Sequence, residues 1–148
     1  MRPGTSPARP HPPWYSELLA DERRRTLARL GIDAATLDLL STLRRAGPPY
    51  RLTAGVIAEL SLVSAGAISQ RVARAEREGL VRRERTGADG RLSYVTLTSA
   101  GHALIERSVD GLLRHEETLL AELTEDQREA LAAQLKTLLA RLAPGSPG

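Results

Sequence analysis

Between Ser64 and Arg74 stand four side chains suited to hydrogen-bonded recognition: Ser64, Ser69, Gln70 and Arg74. A glutamine amide both donates and accepts, so Gln70 can take the two-point edge of an adenine. A serine hydroxyl can bond a base edge or a phosphate. Arg74 adds a permanent positive charge. Further along, Arg91 follows the stretch Thr86-Gly-Ala-Asp-Gly90. A guanidinium at such a turn tip suits a narrow minor groove, and Asp89 can hold it by a charge-assisted hydrogen bond.

Groups for bond-breaking chemistry are not arranged in this way. Two of the three histidines, His102 and His115, share one expected helix, but their spacing is not the i, i+4 of helix-borne metal ligands. His11 lies far from both in the Pro-rich start of the chain. The chain has no cysteine, which excludes disulfides, thiolate metal sites and thiol redox chemistry. There is no Gly-rich phosphate loop and no nucleophile elbow, and Glu116-Glu117 reads as solvated helix surface. The expectation is a protein that is not an enzyme and uses no cofactor or metal.

The elements needed to position Ser64 to Arg74 are legible in the pattern around them. Thr53 is placed to cap a short helix carrying Val56, Ile57 and Leu60. After a break at Ser61-Leu62-Val63, Ser64 opens a second helix that Gly79 closes. Ile68, Val72 and Ala75 give that helix a buried face, and the recognition side chains fall on the other side. Two β-patterned runs follow, Leu80 to Thr86 and Leu92 to Leu97. Helix, turn, helix and two strands in that order predict a winged helix-turn-helix, a reader of double-stranded DNA.

Helices are expected on both sides of this module. Pro12-Pro13 permits a first helix from Trp14 to about Leu30, with Leu18, Leu19 and Leu27 apolar and Gly31 at its end. Asp33 can cap a second helix with Leu37, Leu40 and Leu43 inward, which Gly47-Pro48-Pro49 stops. Thr98 can open a long helix to about Leu123. Thr124-Glu-Asp-Gln127 is a capping box starting a last helix striped by Leu131, Leu135, Leu138, Leu139 and Leu142. Such apolar stripes outside the winged module call for a second copy of the chain to cover them. The expected fold is mainly α with a small β wing. Its divisions are a disordered tail (1–13), an N-terminal dimerisation helix (14–32), the winged module (33–98), C-terminal dimerisation helices (99–143) and a short tail (144–148).

Charge agrees with this division. The net charge is +3, but residues 63–91 hold seven arginines against four acids, whereas residues 92–148 hold five bases against eight acids. A phosphate backbone would be drawn to the first segment and repelled by the second. The core must be built from Leu, Ala, Val and Ile, since there is no Phe, one Trp and one Met. No run approaches the roughly 18–20 apolar residues of a membrane span, and no signal-like apolar region follows the N-terminus. The expected compartment is the cytoplasm, with no membrane partner.

The motif order resembles the multiple-antibiotic-resistance regulator (MarR) family of bacterial transcription factors. The likeness is carried by Leu37 to Thr53, Val63-Ser-Ala-Gly-Ala-Ile-Ser-Gln-Arg-Val72, Glu78-Gly-Leu-Val-Arg-Arg83, Asp89-Gly-Arg91 with Val95 to Gly101, and Leu123 to Arg128. It spans roughly Asp33 to Leu142. The chain departs from the family in a shorter first helix, and in Gly90-Arg91 where the family often shows paired arginines. The resemblance implies a homodimer with first and last helices intertwined, two winged modules on a pseudopalindromic operator, and repression relieved by a ligand. The alternative is a winged helix that binds protein and has lost DNA binding.

One branch of that family responds to urate-like purines through a Trp, an Asp and two Arg. Aligned without gaps, the resemblance places the Asp on Asp38 and the arginines on Arg71 and Arg83, with Trp14 able to supply the fourth group. Guanidinium donors and an aromatic face suit a small anionic aromatic effector.

Overall fold

A computed structural model describes residues 14–88 and 92–142. The expected tails, residues 1–13 and 144–148, lie outside the described residues, as do Asp89, Gly90 and Arg91. The element order is α1 (Trp14–Arg29), α2 (Ala34–Arg45), β1 (Arg51–Thr53), α3 (Ala54–Ser61), α4 (Ala65–Arg77), β2 (Val81–Thr86), β3 (Leu92–Leu97), α5 (Ser99–Leu120) and α6 (Glu125–Leu142). The chain divides into two compact units, residues 1–110 and 111–148.

Local chemistry sets the helix starts. Asp33 Oδ1 accepts from the Thr36 N–H at 2.8 Å, Thr53 Oγ1 from Val56 at 3.3 Å, and Ser64 Oγ from Ala67 at 3.2 Å. Each satisfies a first-turn amide that has no partner inside the helix. Thr98 Oγ1 does the same for Gly101 at 3.1 Å. At α6 the capping box closes both ways: Gln127 Oε1 accepts from the Thr124 N–H and Thr124 Oγ1 from the Gln127 N–H.

In the first unit a three-stranded antiparallel sheet runs in the order β1-β3-β2. The register pairs Val81 with Leu97 and Thr86 with Leu92 in the wing, and Leu52 with Val95 on the other side. The strand β1 is absent from the sequence-based expectation, which has only the two wing strands. Leu39, Leu40 and Leu43 of α2, Ile57 of α3, Ile68 and Val72 of α4, Val95 of β3 and Ile105 of α5 form the core, each at most 1% exposed. Burying this aliphatic set is the main force fixing α4 against α2 and α3. Arg44 locks α2 to α5 through Glu106, with Nε at 2.5 Å and Nη2 at 3.2 Å from its carboxylate oxygens.

Two backbone features mark the first unit. Leu62 closes α3 in the left-handed conformation (φ 54°) and is 92% exposed. Gly101 lies so close to the chain before β2 that a Cβ there would stand 2.0 Å from the Leu80 carbonyl oxygen. In the second unit, Leu131, Leu135, Leu138 and Leu139 of α6 stand 39–63% exposed. Among the described residues no single helix is long and apolar enough to cross a membrane.

Candidate nucleic-acid interface

The helix α4 presents three distinct sides. Its inner side, Ile68, Val72 and Ala75, is buried. Its outermost side carries Gly66, Gln70 and Arg77, spaced at i, i+4 and i+11 and all exposed. Small residues at its start (Ala65, Gly66, Ala67) leave that end of the helix slim enough to approach a groove floor. Ser64, at the cap, is exposed as well.

The remaining recognition candidates sit on the flanks. Ser69 is exposed toward the wing side, where it lines a cleft of about 210 Å³ with Ala54, Arg83 and Arg85. Arg74 lies on the opposite flank and is held by two acids: Nη1 is 2.8 Å from Asp33 Oδ2 and Nε is 3.0 Å from Glu78 Oε1. A phosphate contact by Arg74 would require it to leave carboxylates that already satisfy it. The Asp33 carboxyl is held below its ordinary value of 3.8, first by the Thr36 backbone N–H, against an opposing effect of burial, and with help from Arg74.

Of the four positions implied for an anionic effector, Asp38, Arg71 and Arg83 have described side chains. Arg71 Nη1 donates to Asp38 Oδ2 at 3.0 Å, bringing those two together between α4 and α2. Arg83 faces the other flank of α4: its Nη2 lies 3.4 Å from Glu76 Oε2, and its backbone N–H donates to Glu76 Oε1 at 3.3 Å. The Trp14 side chain and Arg91 fall outside the described residues.

Arginines missed in reading the sequence add to this surface. Arg77 ends α4 on the outer side with Gln70, and the i+7 spacing between them was the signal for it. Arg85 is exposed on β2. Arg51 lies over the Tyr94 ring, 4.1 Å from its centroid, and donates to Glu84 at 3.2 Å, tying β1 to the wing. Glu84 also pairs with Arg82 at 3.1 Å.

Such a capped helix behind a turn, with a two-stranded wing beside it, has the geometry of a major-groove reader with a flanking wing. Comparison with known proteins agrees. A family model described as the MarR family matches residues 30–92. The chain is 30% identical over 111 residues to the HTH-type transcriptional regulator PecS of Dickeya dadantii (strain 3937), covering 75% of this chain and 67% of that protein. Among solved structures it is similar to the YusO protein of Bacillus subtilis, at 26% identity and a TM-score of 0.71, covering 87% of this chain and 89% of that one. It is also similar to a mutant MarR from E. coli complexed with operator DNA, at 25% identity and a TM-score of 0.63, covering 84% and 91% of the two chains. From the fold, the reading helix and these relatives together, the chain belongs to the MarR family of transcriptional regulators.

Proposed function

We propose that the chain is a homodimeric, sequence-specific repressor that binds a pseudopalindromic DNA operator and is released by a small anionic aromatic ligand. The observation that carries the DNA reading is the outer side of α4, where an exposed, unburied Gln70 stands between a slim N-terminus and Arg77. In this reading Gln70 contacts a base edge, Ser64 and Ser69 contact base or phosphate, and Arg74 reaches phosphate after exchanging its acids. Arg91 at the wing tip enters the minor groove. Residues 33–98 form the reading module.

Dimerisation falls to residues 14–32 and 99–143. The supporting observation is the exposed apolar row on α6, Leu131, Leu135, Leu138 and Leu139, which a second copy would remove from water. Release would act through the flanks of α4. A ligand taking Arg71 from Asp38 binds two arrangements of that helix with different affinity, and that difference is what shifts the population. Trp14 and Arg83 complete the ligand set in this reading.

The test is fluorescence anisotropy of the purified protein on duplex DNA from upstream of its own gene, against a scrambled duplex, at two salt concentrations. Selective binding that weakens with salt is the expected result. Gln70→Ala and Arg91→Ala should each weaken operator binding by roughly 1–3 kcal/mol. Equal, weak binding to both duplexes would overturn the reading in favour of a protein-binding winged helix.

A further inference from the structure

The core-facing side of the wing changes character along its length. Val81 pairs with Leu97, Arg83 with Val95 and Arg85 with Ser93, and alternate rungs such as these put their side chains on one face of the sheet. Val81, Val95 and Leu97 are buried, so this is the face packed toward the helices. At its outer end the same face carries Arg85 and Ser93, where continued packing would call for apolar residues. The opposite face is self-contained, since Glu84 there answers both Arg51 and Arg82.

Arg85 and Ser93 line the cleft of about 210 Å³ beside α4, together with Ala54, Ala65, Ser69 and Arg83. These groups are unequally engaged. Arg83 is answered by Glu76, whereas no acid stands opposite Arg85 among the described residues. Ser93 Oγ is covered from water and has no hydrogen-bond partner among the described residues, a costly state for a buried hydroxyl. Ala65 opens α4, so the positive end of that helix meets the cleft as well. The space is smaller than the roughly 300–1,000 Å³ of small-molecule sites, and its polar lining offers a cation and two hydroxyls. That is the scale and chemistry of one phosphate group rather than of an organic effector.

Duplex geometry supplies the occupant. A helix in the major groove and a wing in the adjoining minor groove stand on either side of one sugar–phosphate strand, and this cleft lies between that helix and that wing. We propose that the cleft seats one backbone phosphate of bound DNA, with the Arg85 guanidinium and the Ser69 and Ser93 hydroxyls donating to its oxygens. The inference rests on the DNA reading above and adds to it the contact that sets how α4 and the wing straddle the backbone. Ser93 turns about its single side-chain torsion to reach the phosphate, which gives its hydroxyl the acceptor it lacks in the free protein. Such a contact fixes register and carries no base information.

Anisotropy on the upstream duplex and on a scrambled duplex, over a range of sodium chloride, tests the seat. Arg85→Ala should weaken both duplexes by about tenfold, the scale of one charge-assisted contact. It should also lower the salt slope by about 0.9 for each protomer bound, and Arg85→Lys should restore that slope. Ser93→Ala should weaken both duplexes by about threefold, yet leave Tm at or above the parent's, because it deletes a hydroxyl without a partner in the free fold. An unchanged slope in Arg85→Ala would overturn the seat, as would a Ser93→Ala protein that loses stability and keeps its affinity. A loss confined to the upstream duplex would make Arg85 a reader of bases and overturn it too. Exchanging chloride for inorganic phosphate at equal ionic strength should leave the parent's affinity unchanged. A loss there that Arg85→Ala abolishes would give the cleft to a free anion instead. If the two duplexes bind alike while Arg85→Ala still weakens both with the lower slope, the seat stands and the repressor reading falls. No binding to either duplex removes both.

Discussion

Asp33 caps α2 and anchors the reading helix, and two substitutions at this one position separate the roles. Asp33→Asn keeps an oxygen for the Thr36 amide but removes the charge facing Arg74. Asp33→Ala removes both. The cap is a well-formed 2.8 Å hydrogen bond to a first-turn amide, and losing such a bond costs about 1 kcal/mol. The ion pair is half-exposed on both sides, 56% for Arg74 and 41% for Asp33, so solvent screens it and it adds little to stability. Asp33→Ala should therefore lower the unfolding free energy by about 1 kcal/mol, a fall in Tm of roughly 2–4 °C for a protein of this size. Asp33→Asn should stay within a few tenths of a kcal/mol of the parent, since asparagine caps as well as aspartate. Urea unfolding at pH 7 reads this, at fixed protein concentration because self-association would add to apparent stability.

On DNA the two variants should behave alike. Both remove one of the two carboxylates that hold Arg74 and leave Glu78, so both should tighten operator binding and steepen its salt dependence by less than one full phosphate contact, below about 0.9 in the log–log slope. If Asp33→Asn destabilised as much as Asp33→Ala, charge rather than capping would carry the contribution of this residue. If neither variant changed DNA binding, Arg74 would not belong to the interface.

Three further outcomes follow from the geometry. Gly101→Ala should destabilise by about 1–3 kcal/mol or more, because the new Cβ meets the Leu80 carbonyl oxygen, a backbone atom that cannot rotate away; a Tm equal to the parent's would contradict the packing of α5 on the wing. Leu62→Gly should raise stability by about 0.5–1 kcal/mol, since it relieves a left-handed leucine that buries almost nothing, and denaturant midpoints check it. Acid should weaken the fold below about pH 4. The Glu106 carboxyl, held down first by Arg44, and the Asp33 carboxyl, held down first by the Thr36 amide, both lie below their ordinary values of 4.5 and 3.8. The unfolded chain therefore takes up protons first, and the stability present above those ordinary values is lost as pH falls through the folded ones. A Tm that is flat between pH 5 and pH 3 would refute this.

What was legible in the sequence was what is decided locally. Asp33, Thr53, Ser64, Thr98 and the Thr124–Gln127 box each announce a helix start, because the capping oxygen and the amide it satisfies lie within three residues. The buried face of α4 was equally plain from Ile68, Val72 and Ala75. The strand β1 was not, because three residues, Arg51–Thr53, give too short an alternation to register. They become a strand only by pairing with Tyr94, Val95 and Thr96, which the sequence does not place beside them. The partners of Arg71 and Arg83 were hidden for the same reason. Spacing puts Arg71 and Arg83 near α4, but nothing in it reveals that Asp38 waits on one flank and Glu76 on the other.

Those distant partners change the meaning of the arginine count. By sequence, the segment around α4 and the wing holds seven arginines, and each looks available to a phosphate. In the fold, Arg71 answers Asp38, Arg74 answers Asp33 and Glu78, Arg82 answers Glu84, and Arg83 answers Glu76. Most of these acids lie on the same segment or on α2, directly behind the reading helix. Binding DNA through such residues is an exchange of one anion for another, so each phosphate contact gains less than a free guanidinium would give. The salt slope of binding should accordingly fall below the number of arginines in reach, while the outer residues Gln70 and Arg77, for which no such carboxylate stands opposite among the described pairs, carry more of the selectivity.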